Sequence, residues 1–148
     1  MIIEKASSDD ITALCSLLDV LFSQEAEFKP DALAQTAGLR MIMNNPECGI
    51  ILVARHKGRL VGMVSLLFTV STALGGKVAI LEDMVVLPTE RGAGIGTKLL
   101  NAAIDTARKN ACQRLTLLTD NDNDKARKFY EKQGLVKSPM SPFRLMLG

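Results

Sequence analysis

The sequence predicts a mixed α/β fold, on three observations. Residues 49–54 (GIILVA) and 60–70 are continuous apolar runs of strand length, as in strands buried on both faces. Apolar stripes repeating every three to four residues, the mark of a packed helix, lie between such runs. The two kinds of segment interleave along 148 residues, a length for one domain spanning 1–148, in the order β-α-α-β-β-β-α-β-α-β.

The elements follow in chain order. MIIEKA reads as a first strand, and Ser7-Ser8-Asp9-Asp10 offers caps for a helix carrying Ile11, Leu14, Leu17, Leu18 and Leu21 at helical spacing. The polar stretch SQEAEFKPD leads to a second helix, with Pro30 in its first turn, Leu33, Ala37 and Met41 along one side, and Asn44-Asn45-Pro46 at its end. The two apolar runs form a hairpin around Arg55-His56-Lys57-Gly58-Arg59, and Gly75-Gly76 turns the chain into a further strand, Val78 to Leu87, stopped by Pro88. After RGAGIG comes a helix with Ile95, Leu99, Ala103 and Ala107 every four residues, widened by Leu100 and Ile104. Arg114 to Thr119 is a strand, Asp122-Asn123 caps a helix through Lys132, and Gly134 closes it. Beyond Pro139 and Pro142, Phe143 to Leu147 is expected as the last strand.

Composition excludes several classes. Apolar residues make up 47% and charged residues 23%, an ordinary globular balance, and 18 basic against 16 acidic side chains leave +2, too even to argue for nucleic acid. Aromatics at 4% supply no base-stacking platform. Cys15, Cys48 and Cys112 are odd in number and far apart, which suggests neither a disulfide framework nor a metal site, and Cys112 reads as a buried thiol. No segment is long enough to span a bilayer and the N-terminus lacks a signal-peptide pattern, so a cytoplasmic protein without membrane partners is expected. The single histidine, His56, sits in a charged turn, so no nucleophile–His–acid set can be built.

The informative stretch is Arg91-Gly92-Ala93-Gly94-Ile95-Gly96-Thr97-Lys98. A helix N-terminus presents unpaired N–H groups and the positive end of the helix dipole, and glycines ahead of it let an anion come close. Strand, glycine turn and helix together predict a phosphate or pyrophosphate site. A P-loop would need Gly-Lys-Ser/Thr, but here the order is Gly96-Thr97-Lys98; a dinucleotide turn would need G-x-G-x-x-G, but here it is G-x-G-x-G.

Arg91 to Gly96 resembles the Arg/Gln-x-x-Gly-x-Gly/Ala signature of the GCN5-related N-acetyltransferase (GNAT) superfamily. Leu81-Glu82-Asp83-Met84-Val85-Val86-Leu87-Pro88 resembles that family's fourth strand. Asn123 to Leu135 is similar to its Asn-x-x-Ala-x-x-Phe-Tyr-Glu-x-x-Gly-Phe segment, with Leu135 in place of phenylalanine. The resemblance implies a central, mostly antiparallel sheet splayed between the fourth and fifth strands, and acetyl-CoA as co-substrate with no metal.

By the same resemblance, backbone N–H groups of Gly92, Ala93, Gly94, Ile95, Gly96 and Thr97 cradle the pyrophosphate, with Arg91 and Lys98 adding attraction at the rim. The backbone of Met84, Val85 and Val86 pairs with the pantetheine arm or faces the reacting carbonyl, Asn123 bonds the pantetheine amide region, and Ala126 and Phe129 line the coenzyme. Tyr130, the chain's single tyrosine, falls at the family's general-acid position, where it would protonate the departing thiolate. Glu82 is the first candidate for a water-relayed base, on the strand face of Ile80, Met84 and Val86, and Asp83, turned to the opposite side by alternation, is the second; a base other than these two is the remaining alternative. Glu25, Glu27, Phe28 and Asp83 are candidates for holding the acceptor, expected to be a small primary amine attacking directly in a ternary complex. A protein amine, or a non-catalytic coenzyme-binding sensor or interaction module, is the alternative, and a homodimer is expected by analogy.

Overall fold

The computed structural model describes residues 1–25 and 29–148. The chain divides into two compact units, Met1–Leu118 and Thr119–Gly148. The first holds β1 (Ile2–Lys5), a 3-10 turn at Ser8–Asp10, α1 (Ile11–Gln24), α2 (Ala32–Met43), β2 (Gly49–His56), β3 (Arg59–Ser71), β4 (Gly76–Val86), a second 3-10 turn at Pro88–Glu90, α3 (Ile95–Lys109) and β5 (Leu115–Leu117). The second holds α4 (Asp124–Lys132).

The sheet runs β1-β2-β3-β4-β5, antiparallel through β4, with β5 parallel to β4. The two-residue turn between β2 and β3 works because Lys57 and Gly58 both take positive φ, 52° and 77°, which matches the twist of the flanking strands. The two sheet faces are covered differently. Ile51, Val53, Met63 and Val85 pack with Leu14, Leu17 and Leu18 of α1 and Leu39 of α2. On the other face α3 lays down Ile95, Leu99, Leu100, Ala103 and Ala107, the stripe its sequence period predicts. Gly62 makes that contact possible, since a Cβ there would lie 2.8 Å from the Leu99 side chain. Each large side chain buried in these layers stabilises the fold by ~1.5–3 kcal/mol.

Three expectations are corrected. Leu33, Ala37 and Met41, the apolar residues along one side of α2, do not pack inward: all three are exposed, and the helix buries Gln35 and Leu39. Gln35 can turn inward because its amide is satisfied. Nε2 donates to the Cys15 carbonyl (3.2 Å) and Asp19 Oδ1 (3.0 Å), and Oε1 accepts the Asp31 N–H (2.7 Å). The strand expected over Arg114 to Thr119 shrinks to Leu115–Leu117. The expected last strand, Phe143 to Leu147, does not form; Phe143, Leu145, Met146 and Leu147 are exposed, and no partner strand among the described residues pairs with them. An apolar, strand-like pattern makes a strand only where a neighbour completes its hydrogen bonds. Among the described residues no helix is long and apolar enough to cross a membrane.

Candidate active site

β4 carries the first unit's candidate residues Glu82, Asp83, Met84, Val85 and Val86. Among the described residues it pairs with β5 at Ala79, Ile80 and Leu81 alone, and from Glu82 to Val86 no strand lies on its far side. Its near side stays paired with β3, but with a slip: Val64 faces Met84 whereas Leu66 faces Leu81. One extra residue is therefore inserted in β4, and Glu82 and Asp83 both oppose Ser65. This bulge breaks the alternation that the sequence implies. Strict alternation therefore no longer assigns the two acids to opposite faces: both stand opposite Ser65, whose hydroxyl bonds Asp83, and Glu82 is exposed.

Beyond the bulge the strand is regular, and its peptide directions can be read. The Leu87 N–H donates to the Val61 carbonyl at 2.8 Å, so Val85, two residues back, also turns its peptide groups to β3. Met84 and Val86 turn theirs to the open side. The Val86 carbonyl shows this directly, accepting Arg91 Nε at 3.1 Å. Val85 itself is a core side chain, 4% exposed.

Asp83 and Glu82 differ in setting. Glu82 is exposed, and Asp83 is half-buried with the Ser65 hydroxyl donating to its Oδ2 at 3.3 Å. Burial first, and the neighbouring Glu82 charge second, push the Asp83 carboxyl up to about 6, while the Ser65 hydrogen bond opposes them. Ser65 is fully buried and escapes sequence reading, because nothing in the run LVGMVSLLF marks a serine as the partner of an acid eighteen residues on.

The glycine turn joins β4 to α3. Gly92 and Gly94 have φ of 87° and 79°, a backbone region costly for any residue with a Cβ. A Cβ at either would meet nothing within 4 Å, so the need is conformational and the space before the turn is open. Gly94 caps α3 without a side chain, and the first bond of the helix runs from Lys98 N–H to the Gly94 carbonyl at 3.1 Å. The N–H groups of Ile95, Gly96 and Thr97 thus lie ahead of the helix's own ladder, at its positive end, which suits an anion such as a pyrophosphate. Gly92 and Ala93, like Arg91 and Lys98, are exposed around that turn.

In the second unit, Asn123 Oδ1 accepts the Ala126 N–H at 3.1 Å and caps α4. Phe129 and Tyr130 meet edge to face at 5.3 Å, and burial raises the Tyr130 phenol above its ordinary value. Gly134, with φ of 98°, ends the helix. Of the acceptor candidates, Glu25 follows the last residue of α1 and is half-buried; Glu27 and Phe28 lie outside the described residues.

Residues 11–135 match the model of the Acetyltransferase (GNAT) family. The chain is 36% identical to an uncharacterized N-acetyltransferase of Bacillus subtilis, YhfO, over 90% of its own length and 89% of the relative's. It is 27% identical to an aminoalkylphosphonate N-acetyltransferase of Salmonella typhimurium, over 90% and 83% of the two chains. Its fold is similar to that of an aminoglycoside N-acetyltransferase, AAC(6')-Iy, solved in complex with CoA, at a TM-score of 0.83 and 17% identity over 98% and 93% of the two chains.

Proposed function

The chain belongs to the acetyltransferase (GNAT) family of acyltransferases, which carry out acetyl-CoA-dependent N-acetylation, and from that premise we propose that its acceptor is a small, cationic primary amine acetylated by direct attack. The observation that carries this reading is the bulge on β4. It sets two adjacent carboxylates opposite one residue of β3, one of them held near a pKa of 6, beside the stretch of β4 whose far edge is open. Support for a small acceptor comes from the relative named for aminoalkylphosphonates. We read both units as parts of one domain, because the family match runs across the boundary between them.

Acetyl-CoA supplies an acetyl group activated as a thioester. The protein's part begins with the anion. The N–H groups of Ile95, Gly96 and Thr97 hold the pyrophosphate, and Gly92 and Gly94 keep side chains out of its way. The open peptide groups of Met84 and Val86 pair with the amides of the pantetheine arm as an added strand would. The Met84 N–H, turned away from β3, would be the donor for the carbonyl oxygen as it gains charge.

Two proton transfers remain. The acceptor arrives as an ammonium, drawn by Glu82 and Asp83, and must lose a proton before its lone pair can form the new N–C bond. Asp83 takes that proton. Its raised pKa favours it over Glu82, the acid that strand position alone suggests, because a base near the working pH both holds and releases protons. As the C–S bond breaks, the Tyr130 phenol, which burial keeps protonated, gives its proton to the departing sulfur and is reprotonated from solvent.

The test is release of free thiol from acetyl-CoA across a panel of amino acids, polyamines and amino sugars, together with calorimetric CoA binding. Turnover with one amine class and kcat/KM falling as pH drops through about 6 is expected. CoA binding with no thiol release from any amine overturns the reading in favour of a non-catalytic coenzyme-binding module.

A further inference from the structure

We propose that Ser65 is a positioning residue: its hydroxyl, donating to Asp83 Oδ2, holds that carboxylate at the bulge as the acceptor of the amine's proton. The proposal rests on the assignment of Asp83 as the base.

Ser65 is 0% exposed, and so are its chain neighbours Val64 and Leu66; across the sheet on β2 its partner is Ile51, at 3%. A hydroxyl in such surroundings is costly unless it is hydrogen-bonded, and alanine would fill the position without that cost. The bond it makes is to Asp83, and among the described residues no buried polar side-chain atom lacks a partner. The bulge adds a second observation. By placing Glu82 and Asp83 opposite one residue, it gives β3 a single position from which to act on the pair, and a donor stands there.

The charges around Asp83 leave room for this control. Cys15 and Asp19 of α1 are turned to α2, Cys15 against Thr36 at 3.4 Å and Asp19 against Gln35 at 3.0 Å. Arg59 of β3 pairs with Glu90, and Lys77 of β4 lies over the Phe68 ring. β5 carries no titratable side chain, and α3, with Lys98, Asp105, Arg108 and Lys109, covers the opposite face. Glu82 raises the affinity of Asp83 for its proton and Ser65 lowers it, so the two neighbours act in opposite senses on one group.

Carbon-detected carboxyl NMR titration of the full chain, assigned with Asp83→Asn, reads the group directly. The pH profile of kcat/KM, from thiol release with the best amine of the panel, reads its use. Ser65→Ala is expected to raise both the Asp83 midpoint and the acid limb by about one pH unit, the scale of one hydrogen bond to a charged group, with CoA affinity unchanged. Ser65→Cys, a weaker donor of similar size, falls between and serves if the alanine variant does not fold. Glu82→Gln moves the midpoint and the limb the other way. An unmoved midpoint in either serine variant, or a moved midpoint with an unmoved limb, overturns the role of Ser65. Undiminished turnover in Asp83→Asn overturns the assignment of the base and the role of Ser65 with it, a different result from losing turnover while Ser65→Ala leaves the profile in place.

Discussion

Asp10 and Asp83 are the same side chain in opposite circumstances. Each accepts a hydrogen bond from a serine hydroxyl at 3.3 Å, from Ser7 and Ser65 respectively. Asp10, beside β1, also receives Nη1 and Nη2 of Arg55 at 2.9 and 2.6 Å, and Arg55 Nε reaches Glu4. That guanidinium holds the Asp10 carboxyl below its usual value, and the two acids raise Arg55 in return. Among the described residues no such cation acts on Asp83, and its neighbour carries the same charge. At one end of the sheet a carboxylate is neutralised and ties the 3-10 turn to β2. In the middle a carboxylate is left uncompensated, which costs stability and keeps a proton exchangeable. The difference separates a structural acid from the one we propose as the base more sharply than residue type or burial does.

The contrast can be broken at several points. The largest expected effect is on turnover: Asp83→Asn lowers kcat/KM by roughly 10²–10⁴, the usual contribution of a general base, whereas Asp10→Asn leaves the chemistry of the folded enzyme in place. Thiol-release kinetics on the two variants decide it. Next comes Arg55→Met, which strands a nearly buried Asp10 without its cation and costs about 2–3 kcal/mol by urea unfolding at pH 7, somewhat below a fully buried pair because Arg55 is partly exposed.

Asp83→Asn has the opposite sign on stability. The folded protein binds the Asp83 proton from the ordinary 3.8 up to about 6, so stability falls as pH rises through that window. Removing the charge therefore stabilises the fold by roughly 2 kcal/mol at pH 7 and by little at pH 4. Asp10 behaves conversely: its contribution is present above the unfolded value and lost as pH falls through its depressed one. Unfolding curves at pH 3, 4 and 7 that show parallel behaviour for the two aspartates would remove the distinction. A smaller effect is expected at Gly94→Ala, where a left-handed backbone costs about 1–2 kcal/mol in unfolding and weakens CoA binding measured by calorimetry. The smallest is Leu33→Ser on the exposed side of α2, within about 0.5 kcal/mol.

The same pair of aspartates shows what a sequence can and cannot disclose. Asp10 lies three residues from Ser7 and its serine bond is local, so a capped helix start is readable from the letters. The α3 stripe is readable for the same reason, since one helix face carries all of it. The bulge is not local. It exists only in the register between β3 and β4, and a strand read alone alternates without interruption, which is why Glu82 and Asp83 look opposed until the pairing is known. The inner face of α2 was hidden by chemistry rather than distance: a glutamine with its amide satisfied takes a place that hydrophobicity assigns to leucine and methionine. The tail has the letters of a strand but, among the described residues, no neighbour to make it one.

The glycine turn has a consequence for how this molecule can change. Its anion-facing groups are peptide N–H groups, which every residue other than proline possesses, so the chemistry displayed there does not depend on which side chains drift in around it, provided the two positive-φ positions stay glycine. The acids at the bulge are ordinary side chains, exchangeable one codon at a time. On the proposed roles, mutation can re-tool the choice of amine while the grip on the donor is inherited intact, a division of labour that makes the scaffold easy to diversify and hard to disarm.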